Sequence, residues 1–181
     1  MRKAFALIIS LVLIFVCVPG CSKKIKDIDK PEEPVTLEQV NTDGRYVARA
    51  YLESIFSNNR ELFVRCYLDG FIDRIEKKSG KNVFEEYKTS LTSISATVTG
   101  TAFNDYREYT VENGFDAASM RSGISFLTGL NYSDIEQIQL QKITVFFKNG
   151  EETANSDFYY VVYKTGGKWY MLESYDGKMK F

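Results

Sequence analysis

Few residues of this 181-residue chain have the type and spacing that chemistry requires, and the absence of histidine is the first constraint on them. Without imidazole there is no Ser-His or Cys-His nucleophile pair, no histidine general base, and none of the common zinc or facial-triad centres. Carboxylates, phenols and thiols remain. If Gly166-Gly167 forms a two-residue turn, Glu173 stands opposite Tyr160, and a carboxylate beside a phenol can pair a general base with an oxyanion donor. The plainer reading of that pair is a solvated carboxylate near a sheet rim, or one hydrogen bond. Asp69 and Asp73 have the spacing that puts two carboxylates on one helix face, but Gly70 lies between them and no third cation ligand accompanies them. Gly166-Gly167-Lys168 lacks the flanking glycine and Ser/Thr of a phosphate loop and reads as a turn. Cys66 sits in an apolar stripe, the setting of a packed thiol rather than a reactive one. This inventory predicts no metal site and no cofactor.

The other two cysteines belong to the N-terminus. Met1-Arg2-Lys3 precedes fifteen uncharged residues, 4–18, rich in Leu, Ile, Val and Phe, and Pro19-Gly20-Cys21 follows. A helix needs about 20 apolar residues to cross the hydrocarbon core, so this run is short for a permanent span. Basic start, apolar middle and small residue before a break is the layout of a secretory signal. Val18-Pro19-Gly20-Cys21 also resembles the lipobox of bacterial lipoproteins. That resemblance implies cleavage between Gly20 and Cys21, with the Cys21 thiol joined to diacylglycerol. Two acyl chains on one residue anchor durably where one does not, at about 0.8 kcal/mol per buried methylene. Ordinary signal cleavage and an uncleaved membrane anchor are the alternatives. With Cys17 removed and Cys21 acylated, Cys66 is the one thiol left and no intrachain disulfide can form. The expected location is the extracytoplasmic face of a cell membrane, or the outer membrane where the envelope has two.

Charge sets limits on the partners. The chain holds 23 Lys plus Arg against 24 Asp plus Glu, and Arg2 and Lys3 leave with the signal, so 21 basic and 24 acidic residues remain, a formal charge of −3. A mildly acidic product has no electrostatic pull toward nucleic acid or anionic lipid headgroups. The predicted division is a signal peptide over 1–20, a charged flexible tether over 21–41, and one α+β domain over 42–181. The tether contains Pro31 and Pro34, shows no apolar period, and as a flexible coil would reach about 25 Å.

These groups need elements to place them. Val47, Ala50, Tyr51, Ser54 and Ile55 recur at helical spacing behind a Thr42 or Asp43 cap, predicting a helix over 44–57. Asn58 and Glu61 form a capping pair for a short second helix, with Leu62, Phe63, Cys66 and Tyr67 on its stripe and its end near Asp69-Gly70. Ile72 and Ile75 mark a third stretch that breaks at Ser79-Gly80, and Val83, Phe84, Tyr87 and Leu91 mark a fourth. Ile94, Ala96 and Val98 alternate with polar residues as a strand does, with a frayed helix end as the alternative, and 115–127 reads as a helix weakened by Gly123.

Three β-rich runs, 142–148, 158–164 and 168–175, are joined at Asn149-Gly150 and Gly166-Gly167 into an antiparallel meander. Two-residue turns there pair Phe147 with Glu152, Val145 with Ala154 and Ile143 with Ser156, and then Lys164 with Trp169 and Val162 with Met171. Paired residues share a face, so Ile143, Val145, Phe147, Ala154, Phe158, Tyr160, Val162, Trp169 and Met171 line the core side. Phe146, Tyr159, Val161, Tyr163, Tyr170 and Leu172 line the other. Tyr159, Tyr163 and Tyr170 combine apolar area with a hydroxyl, which suits an interface with an envelope protein, a second copy of the chain or a glycan. Cover by the segment 92–135 is the alternative.

A helix, an Asn-rich break, a short helix, more helix and a meander ending in Gly166-Gly167-Lys168-Trp169-Tyr170 resembles the cystatin-like α+β fold of the nuclear transport factor 2-like superfamily, over residues 44–175. Residues 51–68 resemble the helix-break-helix opening of small bacterial lipoproteins of that group, and 142–172 their closing hairpins. The resemblance implies N-terminal helices packed on a curved antiparallel sheet that leaves a conical pocket. Its members include enzymes, binders and interaction modules, so activity stays open. The expected function is that of a membrane-anchored extracytoplasmic lipoprotein acting as a ligand- or protein-binding module. Its partner is then an envelope protein or a small ligand in the cone. The alternatives are a small hydrolase or isomerase using Glu173 and Tyr160, and a structural module that dimerises through its tyrosine face.

Overall fold

Helix formation begins at Asp43, whose extended backbone (φ −150°, ψ 145°) and carboxylate, accepting from the Arg45 N–H, cap α1 (Gly44–Phe56). The computed structural model describes residues 28, 30–92, 97–114 and 116–172, and three short helices follow: α2 (Arg60–Arg65), α3 (Phe71–Ser79) and α4 (Val83–Thr92). The expected break after α1 is present, but the cap of α2 falls one residue later than the Asn58 and Glu61 pairing predicts. Asn58 takes a φ of 56° to reverse the chain, and Asn59 Oδ1 accepts from the Leu62 N–H at 3.0 Å.

The remaining elements are β1 (Thr97–Glu108), α5 (Ala117–Thr128), β2 (Gln137–Asn149), β3 (Glu152–Thr165) and β4 (Lys168–Met171). Their strands make an antiparallel sheet in the order β1-β2-β3-β4, so the fold is α+β. The strand expected around 94–99 is the start of the longer β1, with residues 93–96 outside the described residues; the helix expected over 115–127 is α5. At Gly166-Gly167 the register is the derived one, Val162 with Met171 and Lys164 with Trp169. The other turn differs. Asn149 pairs with Glu152, so Gly150 and Glu151 make the turn and each partner moves by two, placing Phe158 opposite Ile143, Ser156 opposite Val145 and Ala154 opposite Phe147. Gly150, at φ 63°, opens that turn, which lets Asn149 stay in the ladder. A shift of two preserves parity, and the face assignment survives.

The sheet has cover on both faces. Ile143, Val145, Val162, Trp169 and Met171 lie buried against α1, α2 and α4 residues such as Val47, Leu52, Phe63 and Phe84. On the opposite face, Ile124 of α5 and Ile135 pack on Val161, Tyr163, Tyr170 and Leu172. Ala154, expected in the core, is exposed together with the rest of 151–157 at the hairpin end, where the sheet face has no cover.

Both sheet edges are also guarded. Along β4, the Met171 N–H donates to the Cys66 carbonyl at 2.8 Å, and Asn41 Nδ2 donates to the Trp169 carbonyl at 2.8 Å. Along β1, the Glu32 N–H donates to the Thr101 carbonyl at 2.9 Å, and Glu32 Oε1 accepts from the Phe103 N–H at 3.1 Å. Pro31 fills the space over Gly100, where an added Cβ would come within 2.6 Å of it. The stretch expected to be free tether is thus, from Pro31 onward, a strap laid on the fold. Arg49 explains why. Its side chain is 3% exposed, it pairs with Glu53 at 3.1 Å and with Glu32, and it donates to the Glu33 carbonyl at 2.6 Å. A guanidinium buried without partners costs several kcal/mol, so the helix recruits the strap. Val35 and Val40 are buried behind it. Among the described residues, no helix is long and apolar enough to cross a membrane.

Candidate functional site

The core face of β2 is apolar only as far back as Ile143. Two and four residues earlier the same face carries Gln141 and Gln139, which are 1% and 9% exposed. Across from them the β1–β2 register shifts between Phe103 and Asp105, and the extra residue puts Phe103, opposite Ile143, and Tyr106, opposite Gln141, on one face. A bulge of this kind re-aims a side chain that simple alternation would send outward. The start of α1 closes the arrangement. Gly44 lies so near the sheet that a Cβ there would meet Gln141 Nε2 at 2.8 Å and Gln139 Oε1 at 3.1 Å. The result is a cleft of about 200 Å³ between the beginning of α1 and the sheet, with Trp169 in its wall and Asp43 and Arg45 among its lining residues.

Beneath this cleft one buried polar atom has no partner among the described residues. Gln141 Nε2 donates to Gln139 Oε1 at 2.8 Å, while Gln141 Oε1 accepts no hydrogen bond from any described residue. A buried acceptor without a donor costs roughly 1–3 kcal/mol. Asp43 and Arg45 are each nearly half exposed and sit 3.5 Å apart, with the guanidinium 4.8 Å above the Tyr46 ring. The cleft therefore combines ring surface with a half-exposed ion pair at its lip, above a buried glutamine pair. Those are the means of holding a small molecule in one orientation. No cluster of His, Cys, Asp or Glu able to hold a metal ion occurs among the described residues.

The residues singled out from sequence fall in several places. Tyr160 is on the core face opposite Gln141 with its ring 5.2 Å from that of Tyr51, and burial pushes its phenol well above the ordinary range. It is a neutral donor at physiological pH. Glu173, its expected partner, lies outside the described residues, as do Gly20 and Cys21. Tyr163 and Tyr170, 1% and 8% exposed, are buried among the residues that α5 and Ile135 bring to that face, and burial raises both phenols. The outer tyrosine face is therefore closed within the chain at these two positions, because α5 spends its apolar side on them. Tyr159, 49% exposed, stands open.

Beside Tyr159, Lys142 pairs with Asp157 at 2.7 Å, Thr144 donates to the same carboxylate at 2.7 Å, and Asn104 donates to Thr144 at 3.1 Å. Burial opposes the charge of Asp157, but the Lys142 ammonium and these donors outweigh it and hold the carboxyl below its ordinary value. That cluster satisfies itself. Asp69 and Asp73 are both exposed and do not share a helix, since Gly70 at φ 70° separates them before α3 begins. Cys66 donates to the Leu62 carbonyl at 3.2 Å, and burial pushes its thiol far up, which suits packing.

Gln139 and Gln141 were not among the predicted site residues. The signal for them exists: Gln137-Ile138-Gln139-Leu140-Gln141 alternates in phase with the strand that follows, so its glutamines extend the core face with polar groups. The bulge that brings Tyr106 to the face of Phe103 has no such signal. Compared with protein-family models, curated proteins and solved structures, the chain finds no match in any of the three.

Proposed function

We propose that this chain is a lipid-anchored extracytoplasmic binding protein whose domain is nuclear transport factor 2-like, and that the cleft between α1 and the sheet receives a small ligand. The signal layout of residues 1–20 and Cys21 after Gly20 support the anchor. Helices and an antiparallel sheet with a cleft at the start of α1 support the fold assignment. The observation that carries the ligand reading is the cleft itself, about 200 Å³ between the start of α1 and the sheet, walled by Phe103, Tyr106 and Trp169 with polar side chains at its lip. Ring surface with a few polar side chains at a concave site is the usual form of a small-ligand pocket.

The whole chain, purified in a mild detergent, should show a raised unfolding temperature with at least one member of a library of small polar metabolites. Tyr106→Ala, at a position of the cleft wall that is 49% exposed, should abolish that rise while leaving the unliganded protein about as stable. A rise that Tyr106→Ala leaves intact places the ligand elsewhere and overturns the cleft. For the anchor, metabolic fatty-acid labelling should mark the wild type and fail in Cys21→Ala; equal labelling of both refutes attachment there.

A further inference from the structure

β3 is much longer than the strand beside it. β4 ends at Met171, and the Leu172 N–H donates to the Val161 carbonyl at 3.0 Å. From there back to Glu152, β3 has β2 on one side and, among the described residues, no strand on the other. In an antiparallel ladder the N–H and C=O of one residue point the same way, and the direction alternates along the strand. Val161 faces β4, so Tyr159, Asp157, Asn155 and Thr153 present their N–H and C=O past its end. Residues 152–157 are exposed on both sheet faces, which leaves room for a neighbouring strand.

An open edge pairs with other chains unless it is guarded. The strap guards β1, and Cys66 and Asn41 guard β4, but this stretch of β3 has none of the usual devices. It holds no proline and no lysine, its register with β2 runs without a bulge, and its central charge, Asp157, is held by Lys142. Its sequence also fits itself. Two copies of β3 laid antiparallel about Ser156 set Asn155 against Asp157, an amide against a carboxylate, and Thr153 against Tyr159, a β-branched residue against an aromatic one. Ala154 then faces Phe158, and Glu152 faces Tyr160. That register engages all four outward-pointing residues. Centring the pair on Asn155 brings Glu151 of the turn opposite Tyr159, and centring it on Asp157 sets that carboxylate against itself and needs Val161, which β4 already holds. We propose that the edge of β3 over 152–160 is the docking surface for a second copy of this chain, joined antiparallel about Ser156 into one continuous sheet, with the exposed Tyr159 lying on Thr153 of the other copy.

The register is testable by crosslinking. Ser156 belongs to a pair without mutual hydrogen bonds, where Cα atoms lie about 4.5 Å apart, within the roughly 4.4–6.8 Å that a disulfide spans. Ala154 is on the same face, but its two copies would be four residues out of step, about 14 Å apart. The whole chain in mild detergent should sediment as a dimer whose fraction rises with concentration. Under mild oxidation, Ser156→Cys should form the interchain disulfide about tenfold more than Ala154→Cys or the wild type. Asn155→Pro removes an N–H that points off the edge and takes no part in the β2 ladder, so it should abolish the dimer with the unfolding temperature kept. A monomer at every concentration overturns the proposal, and so does a dimer that Asn155→Pro leaves intact, which must use another surface. Equal crosslinking of the two cysteine variants overturns the register whether or not Asn155→Pro folds. A monomer whose amides at 153–159 resist hydrogen exchange shows that the chain fills its own edge, and overturns the second copy as the occupant.

Discussion

A glycine opens α1 where an alanine would serve the helix better by up to about 1 kcal/mol. The local geometry decides against it. A Cβ at Gly44 would come within 2.8 Å of Gln141 Nε2 and 2.9 Å of Val162 Cγ2, and neither neighbour is free to withdraw: Gln141 is bonded to Gln139, and Val162 is fully buried. Overpacking of this kind costs roughly 1–3 kcal/mol, more than helix propensity returns. Gly44→Ala should therefore lower stability by about 1 kcal/mol in chemical denaturation, net of the two effects. In a Gln141→Ala background the penalty should shrink, and the difference measures how firmly the helix start is pressed on the glutamine pair. Equal penalties in both backgrounds would place the strain on Val162 alone.

At the scale of elements, the strap is the unit that links one end of the sheet to the helix layer, through Arg49. The two carboxylates on this arginine should behave differently when removed. Glu53 is 12% exposed and also accepts from Thr101 at 2.5 Å and from the Val35 N–H at 2.7 Å, whereas Glu32 is 46% exposed. Arg49→Met leaves Glu53 buried without its cation and should cost about 3–5 kcal/mol. Glu32→Gln removes a solvent-screened partner and should cost under about 1 kcal/mol. Its effect should show instead as faster hydrogen exchange and protease cutting over 31–35. A loss of global stability in Glu32→Gln as large as that of Arg49→Met would mean that the strap folds with the core as one unit.

The same elements show what could be read in advance. Helical stripes, glycine breaks and strand parity depend on neighbours in sequence, so α1 to α4, the β3–β4 register and the two sheet faces were legible. The β2–β3 partners were not, because Asn149-Gly150 and Gly150-Glu151 turns differ by a choice of which residue takes the left-handed conformation. The strap escaped because its residues look solvated; only the burial of Arg49, a property of the folded chain, makes Glu32 structural. The cleft was half visible, in the alternating glutamines, and half hidden, in a bulge that sequence does not announce.

For the whole molecule, the strap changes how the domain would stand on its proposed anchor. A tether running to residue 41 would leave about twenty residues between Cys21 and the fold, up to about 70 Å of fully extended chain. With Pro31 fixed over Gly100, ten residues remain, which span at most about 35 Å however they are arranged. The strap would then hold the domain near the bilayer, and its release would let the domain stand further off. Glu32→Lys places a second cation beside Arg49 at an exposed position and should detach the strap without unfolding the core. Energy transfer from labelled lipid to a dye on Glu151→Cys at the hairpin tip would measure the distance in reconstituted vesicles, since Cys66 is buried and escapes labelling. Transfer should fall in the Glu32→Lys protein relative to the wild-type strap. Equal transfer in the two would show that something other than the strap sets the height of the domain.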